Sequence, residues 1–257
     1  MNPVIEVKHL ALSPRAEKAG RFIGFEVYPG EIVTITGENG SGKSLLLSSL
    51  AGQRISPSAT VRVRGLDLFH PRERARAQSL LGVMFQNTGL LRALNVFDNV
   101  ALPFLVDSLD VSRHLQEQVH LRLSLVGCQH LSDESPETLA AGDRRCVALA
   151  RALSGKARIF LGDEPLTGLS SAKKAMIEDL MVTLVGCGAL DAAVFFTQDL
   201  EFASRVSTRF IFLRAPERRR QILGGIECER TRETLFDEPL LPGLATLAAS
   251  RRRESTL

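Results

Sequence analysis

No run of apolar residues in this 257-residue chain approaches the roughly 18 that a membrane-crossing helix needs. The opening MNPVIEVKHL has no basic stretch leading into an apolar one, so a secretory signal is not expected. Cysteine is scarce. Cys128, Cys146, Cys187 and Cys228 stand far apart with no Cys-x-x-Cys pair, which argues against a disulfide framework or a zinc site and fits a reducing cytosol. Internal repeats and low-complexity segments are missing. A net charge of +3 is too small to point to nucleic acid, and no nucleic-acid partner is expected. The basic excess is local, in RERARAQ (72–78), PERRR (216–220) and SRRRES (250–255), where solvated surface or a tail is the ordinary explanation. Such charge would also favour an anionic membrane surface. What remains is a 44% apolar, 24% charged chain, enough for one large domain or a domain with a small helical subdomain. These absences predict a soluble protein that reaches any membrane through a partner.

VIEVKHLAL (4–12) and FIGFEVY (22–28) read as strands, and PGE then turns the chain into IVTIT (32–36), a buried strand. A glycine-rich loop follows, after which KSLLLSSLAGQ has helical apolar spacing. ATVRVRGLDL (59–68) alternates like an edge hairpin, and LLGVMF (80–85) reads as another buried strand. From roughly 89 to 150 the periodicity is mainly helical, broken at SDESPE (132–137). Strand character returns in ARIFLGD (157–163), AAVFFT (192–197) and RFIFL (209–213), with a helix at about 171–185. Strands alternating with helices predict an α/β fold: a mainly parallel, covered core sheet, an antiparallel β patch and a helical subdomain.

GENGSGKS (37–44) fits G-x-x-x-x-G-K-S at every position. Its glycines let the backbone curl tightly, so that successive N–H groups across Gly37, Glu38, Asn39, Gly40, Ser41 and Gly42 converge on phosphate oxygens. Lys43 can reach the β- and γ-phosphates, Ser44 can ligate Mg2+, and the following helix adds its positive end. Alone, the pattern also describes an ordinary glycine-rich turn; a buried strand before it and a helix after it favour phosphate. RIFLGDEP (158–165) is the second piece. Its apolar strand ends on Asp163, placed to hold Mg2+ through water, and Glu164 is placed to polarise an attacking water. Asp-Glu-Pro is otherwise a common helix start. The third piece is Gln86, ending LLGVMFQ, whose amide oxygen suits the metal.

Together these motifs resemble an ATP-binding cassette (ABC) ATPase of the P-loop NTPase class, from about residue 4 to 213. They stand in that family's order: Walker A at Gly37–Ser44, Q-loop at Gln86, signature at Leu139–Asp143, Walker B at Asp163–Glu164. RRCVALARAL and DEPLTGL match it almost residue for residue. The resemblance implies an ATP-binding domain over 1–213, with its helical subdomain at about 89–150, and a tail over 214–257 available to a partner. It implies ATP and Mg2+ as cofactors, with Lys43, Glu164 and Gln198 catalytic. Ser44, Gln86 and Asp163 would serve the metal, and Ala140 and Gly142 would touch nucleotide. It also implies a head-to-tail dimer of nucleotide-binding domains, with ATP between one P-loop and the other signature helix. That dimer would work with an integral-membrane permease at the cytoplasmic face of the inner membrane.

Several positions depart from the family. Ala140 stands where a serine would donate to the γ-phosphate across the dimer, and Ala141 adds a Cβ beside it. The switch position, usually histidine, is Gln198; the D-loop reads Leu169-Ser170 in place of Leu-Asp. Pro14 falls where an aromatic ring usually meets adenine, in a chain with no tryptophan and one tyrosine, Tyr28. Losing a hydrogen bond to a charged group costs about 1.5–3 kcal/mol, which slows turnover about ten- to a few-hundred-fold. A slow ATPase is therefore expected, since Lys43 and Glu164 are retained. Ala140 and Ser170 would serve the opposite site. A homodimer would carry their loss twice, whereas a heterodimer with an intact partner, the arrangement expected here, would have one good site and one poor one.

LNVFDNVALP (94–103) is similar to the ATPases of MCE/Mla-type phospholipid transporters, and to those of cell-division and lipoprotein-release systems. This implies phospholipid transport in a bacterial envelope with an MCE-domain partner. The alternative is a regulatory subunit that binds ATP but hydrolyses it weakly. Between Walker A and the signature there is no room for the coiled coil of a DNA-repair ATPase. PLLPGLATLAASRRR (239–253) reads as a short amphipathic helix with a basic end or as a disordered tail.

Overall fold

The structure, a computed structural model, describes residues 1–18, 20–54, 56, 58–105, 113–213 and 226–231. In chain order, β1 (Ile5–Leu10), the short α1 (Pro14–Lys18) and β2 (Ile23–Val27) lead to β3 (Ile32–Gly37) and α2 (Lys43–Leu50). Then come β4 (Thr60–Val63), β5 (Leu66–Asp67), α3 (Arg74–Ser79) and β6 (Leu81–Met84). The helices α4 (Val96–Leu105), α5 (Arg113–Leu125) and α6 (Ala141–Ala152) follow, with a 3-10 turn at Gln129–Leu131. The chain continues through β7 (Ile159–Asp163), α7 (Ser171–Gly186), β8 (Ala192–Phe196), α8 (Leu200–Val206), β9 (Arg209–Leu213) and β10 (Ile226–Thr231).

The strands form an antiparallel sheet in the order β2-β1-β4-β5 and a second sheet in the order β10-β9-β3-β8-β7-β6. In the second, β9, β3, β8, β7 and β6 run parallel and only β10 is antiparallel. Side chains alternate across its pleat. Ile32, Phe160, Ala193 and Phe195 join a core shared with the helices, while Val33, Ile35, Leu161, Val194 and Phe196 join one shared with the antiparallel sheet and α2. Covered on both faces, β3, β7 and β8 are mainly apolar, and the polar exceptions within them, Thr34, Thr36 and Asp163, are buried. The expected α/β architecture, with a parallel core, an antiparallel patch and a helical block, is the one observed.

Details differ from expectation. LLGVMF forms β6, but it is the edge strand, and Leu81 and Val83 are only half buried. RERARAQ is no mere solvated run. It contributes α3, where Ala77 is buried, Gln78 donates to the Ala51 carbonyl at 3.1 Å and Arg74 donates to that of Gly52. The short helices α1 and α8 and the strand β10 were not expected. The remainder of the tail, with its basic runs and its amphipathic segment, lies outside the described residues. Cys128 and Cys146 are free, buried thiols in the core shared with the helices, and the Cys128 thiol donates to the Val126 carbonyl at 3.6 Å.

Within the helical block, the SDESPE break closes the start of α4. Glu134 and Ser132 offer carbonyls to the N–H groups of Val96 and Phe97 at 2.9 and 2.8 Å, satisfying donors that a helix start leaves orphaned. Asn99, fully buried on α4, accepts the Leu91 N–H at 2.7 Å. It also donates to the carbonyls of Leu91, Leu94 and Asn95 at 2.9–3.2 Å. One amide thus fastens the segment after Gln86 onto the helices. Among the described residues, no helix is long and apolar enough to cross a membrane.

Candidate functional site

The parallel register brings the chemistry to the carboxyl ends of β3, β7 and β8. Asp163 stands level with Phe196, so the ends of β7 and β8 lie beside the loop that leaves β3. That loop turns into α2 at Gly42, whose φ of 100° suits glycine. A Cβ at Gly37 would meet the Leu213 carbonyl oxygen at 2.2 Å. Lys43 folds over the loop and donates to the carbonyls of Gly37 and Glu38 at 2.6 and 3.1 Å. Burial lowers its pKa, against the pull of Glu164 and Asp163. Ser41 Oγ is buried and has no hydrogen-bond partner among the described residues. Glu38, Asn39 and Gly40 are exposed at the loop's crest.

Ser44 donates to Asp163 Oδ2 at 3.3 Å. Burial raises the pKa of Asp163 and so does the adjacent Glu164, while Ser44, Lys43 and Arg145 oppose the shift. Glu164 sits at φ 47°, an uncommon backbone for a residue with a side chain. Its N–H donates to the Phe196 carbonyl at 2.8 Å, and its own carbonyl accepts Arg145 at 2.6 Å. Its carboxylate accepts the Gln198 N–H at 2.9 Å and the Thr197 hydroxyl at 2.8 Å. The Gln198 side chain then reaches back to Asn39 Oδ1 at 2.7 Å, spanning the mouth of the loop.

Residues 37–44, 163–164 and 197–198 therefore meet. Gln86 lies on the exposed rim, where its carbonyl accepts Arg145 at 3.4 Å. Arg151, also on α6, donates to the carbonyls of Thr88 and Gly89, both at 2.7 Å. Ala140 is elsewhere. It is the exposed N-cap of α6 and supplies no side-chain capping bond. Gly142 lies against Leu169 and Gly168, and Ser170 caps α7 by accepting the Lys173 N–H at 3.4 Å. No hydrogen bond among the described residues joins Ala140, Gly142 or Ser170 to the loop at 37–44. Pro14 opens α1; the side chain from this segment that packs at Gly42 is Leu12. Sequence reasoning missed Thr197, Arg145 and Arg151. The first follows a strand as an unremarkable polar residue, and the arginines bond across 19 to 63 positions, a separation no local pattern reports.

A glycine loop between strand and helix, with a lysine folded over it and a strand-end aspartate beside its serine, defines a phosphate-binding protein of the P-loop class. The chain belongs to the ABC transporter family, whose model matches residues 21–167. The sulfate/thiosulfate import ATP-binding protein CysA of Methylococcus capsulatus is 30% identical over 245 residues, 93% of this chain and 66% of that protein. The lipoprotein-releasing system ATP-binding protein LolD of Pseudomonas fluorescens is 34% identical over 184 residues, 70% of this chain and 80% of that one. The chain spans 60–66% of the length of the first CysA relatives it matches. The dimeric structure of MJ0796, a bacterial ABC transporter cassette, shares the fold with a TM-score of 0.77 at 23% identity, covering 89% of this chain and 98% of that one.

Proposed function

We propose that the chain is the ATP-binding and ATP-hydrolysing subunit of a membrane ABC transporter, acting in a head-to-tail dimer of nucleotide-binding domains. The observation that carries this is the convergence of Lys43, Ser44, Asp163 and Glu164 at the carboxyl ends of the parallel strands. The loop N–H groups and Lys43 hold the phosphates; Ser41 Oγ is a spare polar atom facing the same task. The donor set fits Mg2+: Ser44 and Asp163 are 3.3 Å apart and would hold it with Gln86, and the ion would neutralise phosphate charge. Glu164 takes a proton from water as the water oxygen bonds to the γ-phosphorus. The bond to the β,γ-bridging oxygen breaks, and ADP leaves with that electron pair. Gln198 stands where its amide can donate to the γ-phosphate once it parts from Asn39. Ala140 and Gly142 present the α6 N-terminus to the opposite subunit's nucleotide.

The test is steady-state hydrolysis by the full chain with MgATP. Lys43→Ala and Glu164→Gln should each lower turnover by at least about a hundredfold. Hydrolysis unchanged in both variants would exclude this reading.

For cargo, the proposal is phospholipid transport of the MCE/Mla type, at the cytoplasmic face of the inner membrane with a permease and an MCE-domain protein. LNVFDNVALP supports it, and the likeness to a lipoprotein-release ATPase is in keeping with a lipid-linked cargo. The second reading, a weakly hydrolysing regulatory subunit, draws on one observation: Ala140 brings no side-chain donor to the N-terminus of α6.

A further inference from the structure

Thr197 directly follows β8, with 1% of its surface exposed. Its hydroxyl oxygen accepts the Asp199 N–H at 2.9 Å, which leaves its single proton to donate. That proton meets Glu164 Oε2 at 2.8 Å, while Oε1 accepts the Gln198 N–H at 2.9 Å. Both carboxylate oxygens are thus fixed by consecutive residues of one turn. Thr167 also reaches Oε2, but at 3.5 Å and from an exposed position. The Gln198 contact is backbone, so Thr197 is the close side-chain donor on this carboxylate. One lone pair of Oε1 is left for water.

We propose that Thr197 is a positioning residue for ATP hydrolysis: its buried hydroxyl fixes the rotamer of Glu164 and so the direction from which the carboxylate accepts the proton of water. This rests on the hydrolytic reading above. Glu164 carries three rotatable side-chain torsions on an uncommon backbone. Without the hydroxyl its head group is tethered only by the Gln198 N–H and the distant Thr167. A displacement near 1 Å at a reacting group costs on the order of a hundredfold in rate. Thr197 touches neither ATP nor water in this role, so substrate affinity should be indifferent to it.

The experiment compares kcat and KM for MgATP in the full-length wild type, Thr197→Val and Thr197→Ser. Valine keeps the shape and removes the hydroxyl; serine keeps the hydroxyl. Thr197→Val is expected to lose roughly ten- to a hundredfold in kcat with KM within about twofold of wild type. Thr197→Ser is expected to stay within about threefold of wild type in both. Valine also strips the Asp199 N–H of its acceptor, so a lower melting temperature in that variant is expected and is not the readout. A Thr197→Val chain as fast as a hydrolysing wild type overturns the positioning role alone. So does an equal loss in the serine variant, or a loss carried mainly by KM. A wild type without hydrolysis overturns the ATPase reading and this one with it.

Discussion

At the scale of single residues, the most consequential is Ala140. A helix start wants a side-chain oxygen to accept the N–H of the second or third residue, and α6 begins without one. The Arg144 side chain donates to the Leu139 carbonyl at 2.8 Å, but a donor cannot serve the N–H groups of this helix start. Ala140→Ser should therefore stabilise the isolated chain by about 0.5–2 kcal/mol, measurable as a shifted denaturant midpoint with unchanged slope. In an assembly where α6 faces a nucleotide, the same change should raise turnover about tenfold or more. A shifted midpoint with no change in the assembly's turnover would assign the effect to capping only. Gln198 tells a related story. Its bond to Asn39 is neutral, so parting the two would cost about 1 kcal/mol, a small cost if Gln198 turns to the γ-phosphate as proposed.

Among elements, legibility followed locality. The loop at 37–44 and the strand ending on Asp163 could be read because their chemistry is set within a few residues: glycine geometry in one, an apolar run closed by a carboxylate in the other. α8 was missed although its signal is local, since Asp199 accepts the Phe202 N–H at 2.9 Å as an N-cap. Its seven residues offer too little periodicity to stand out. β6 reads as a buried strand because Leu81, Val83 and Met84 are apolar, whereas its edge position depends on pairing with β7 alone among the described residues. Asn99 was visible only as part of LNVFDNVALP; its four bonds show why an amide is required there. Asn99→Ala should cost about 2–4 kcal/mol by leaving buried backbone groups unpaired. Asn99→Asp, of the same shape, should do no better at neutral pH, because a carboxylate cannot donate to the carbonyls of Leu91, Leu94 and Asn95. Urea unfolding of both variants measures this, and a loss below 0.5 kcal/mol, about the error of surface changes, would mean the amide is dispensable.

For the whole molecule, the phosphate loop and the N-terminus of α6 open in separate places, so a second copy or a second cassette has to bring them together if both serve one nucleotide. Glu164→Gln with MgATP should then accumulate a dimer, visible by native mass spectrometry. Counting subunits in complexes drawn from native membranes decides the composition. Two copies with a permease would make a homodimer; one copy beside another P-loop protein would make the asymmetric pair. The route by which such an assembly could communicate is already built into the fold. α6 starts at Ala140 and, through Arg145 and Arg151, grips the main chain of Gln86, Thr88 and Gly89. Its 12 residues make a strut roughly 18 Å long. Mechanically it is a connecting rod: a shift of 1–2 Å imposed on the chain after Gln86, on the order of the helix shifts that couple subunits elsewhere, arrives at the N–H groups that would face a neighbour's phosphate. In the proposed assembly, the segment that would meet a partner and the N–H groups that would meet the opposite nucleotide hang on one rigid part, so a substitution that shifts α6 along its axis should move both.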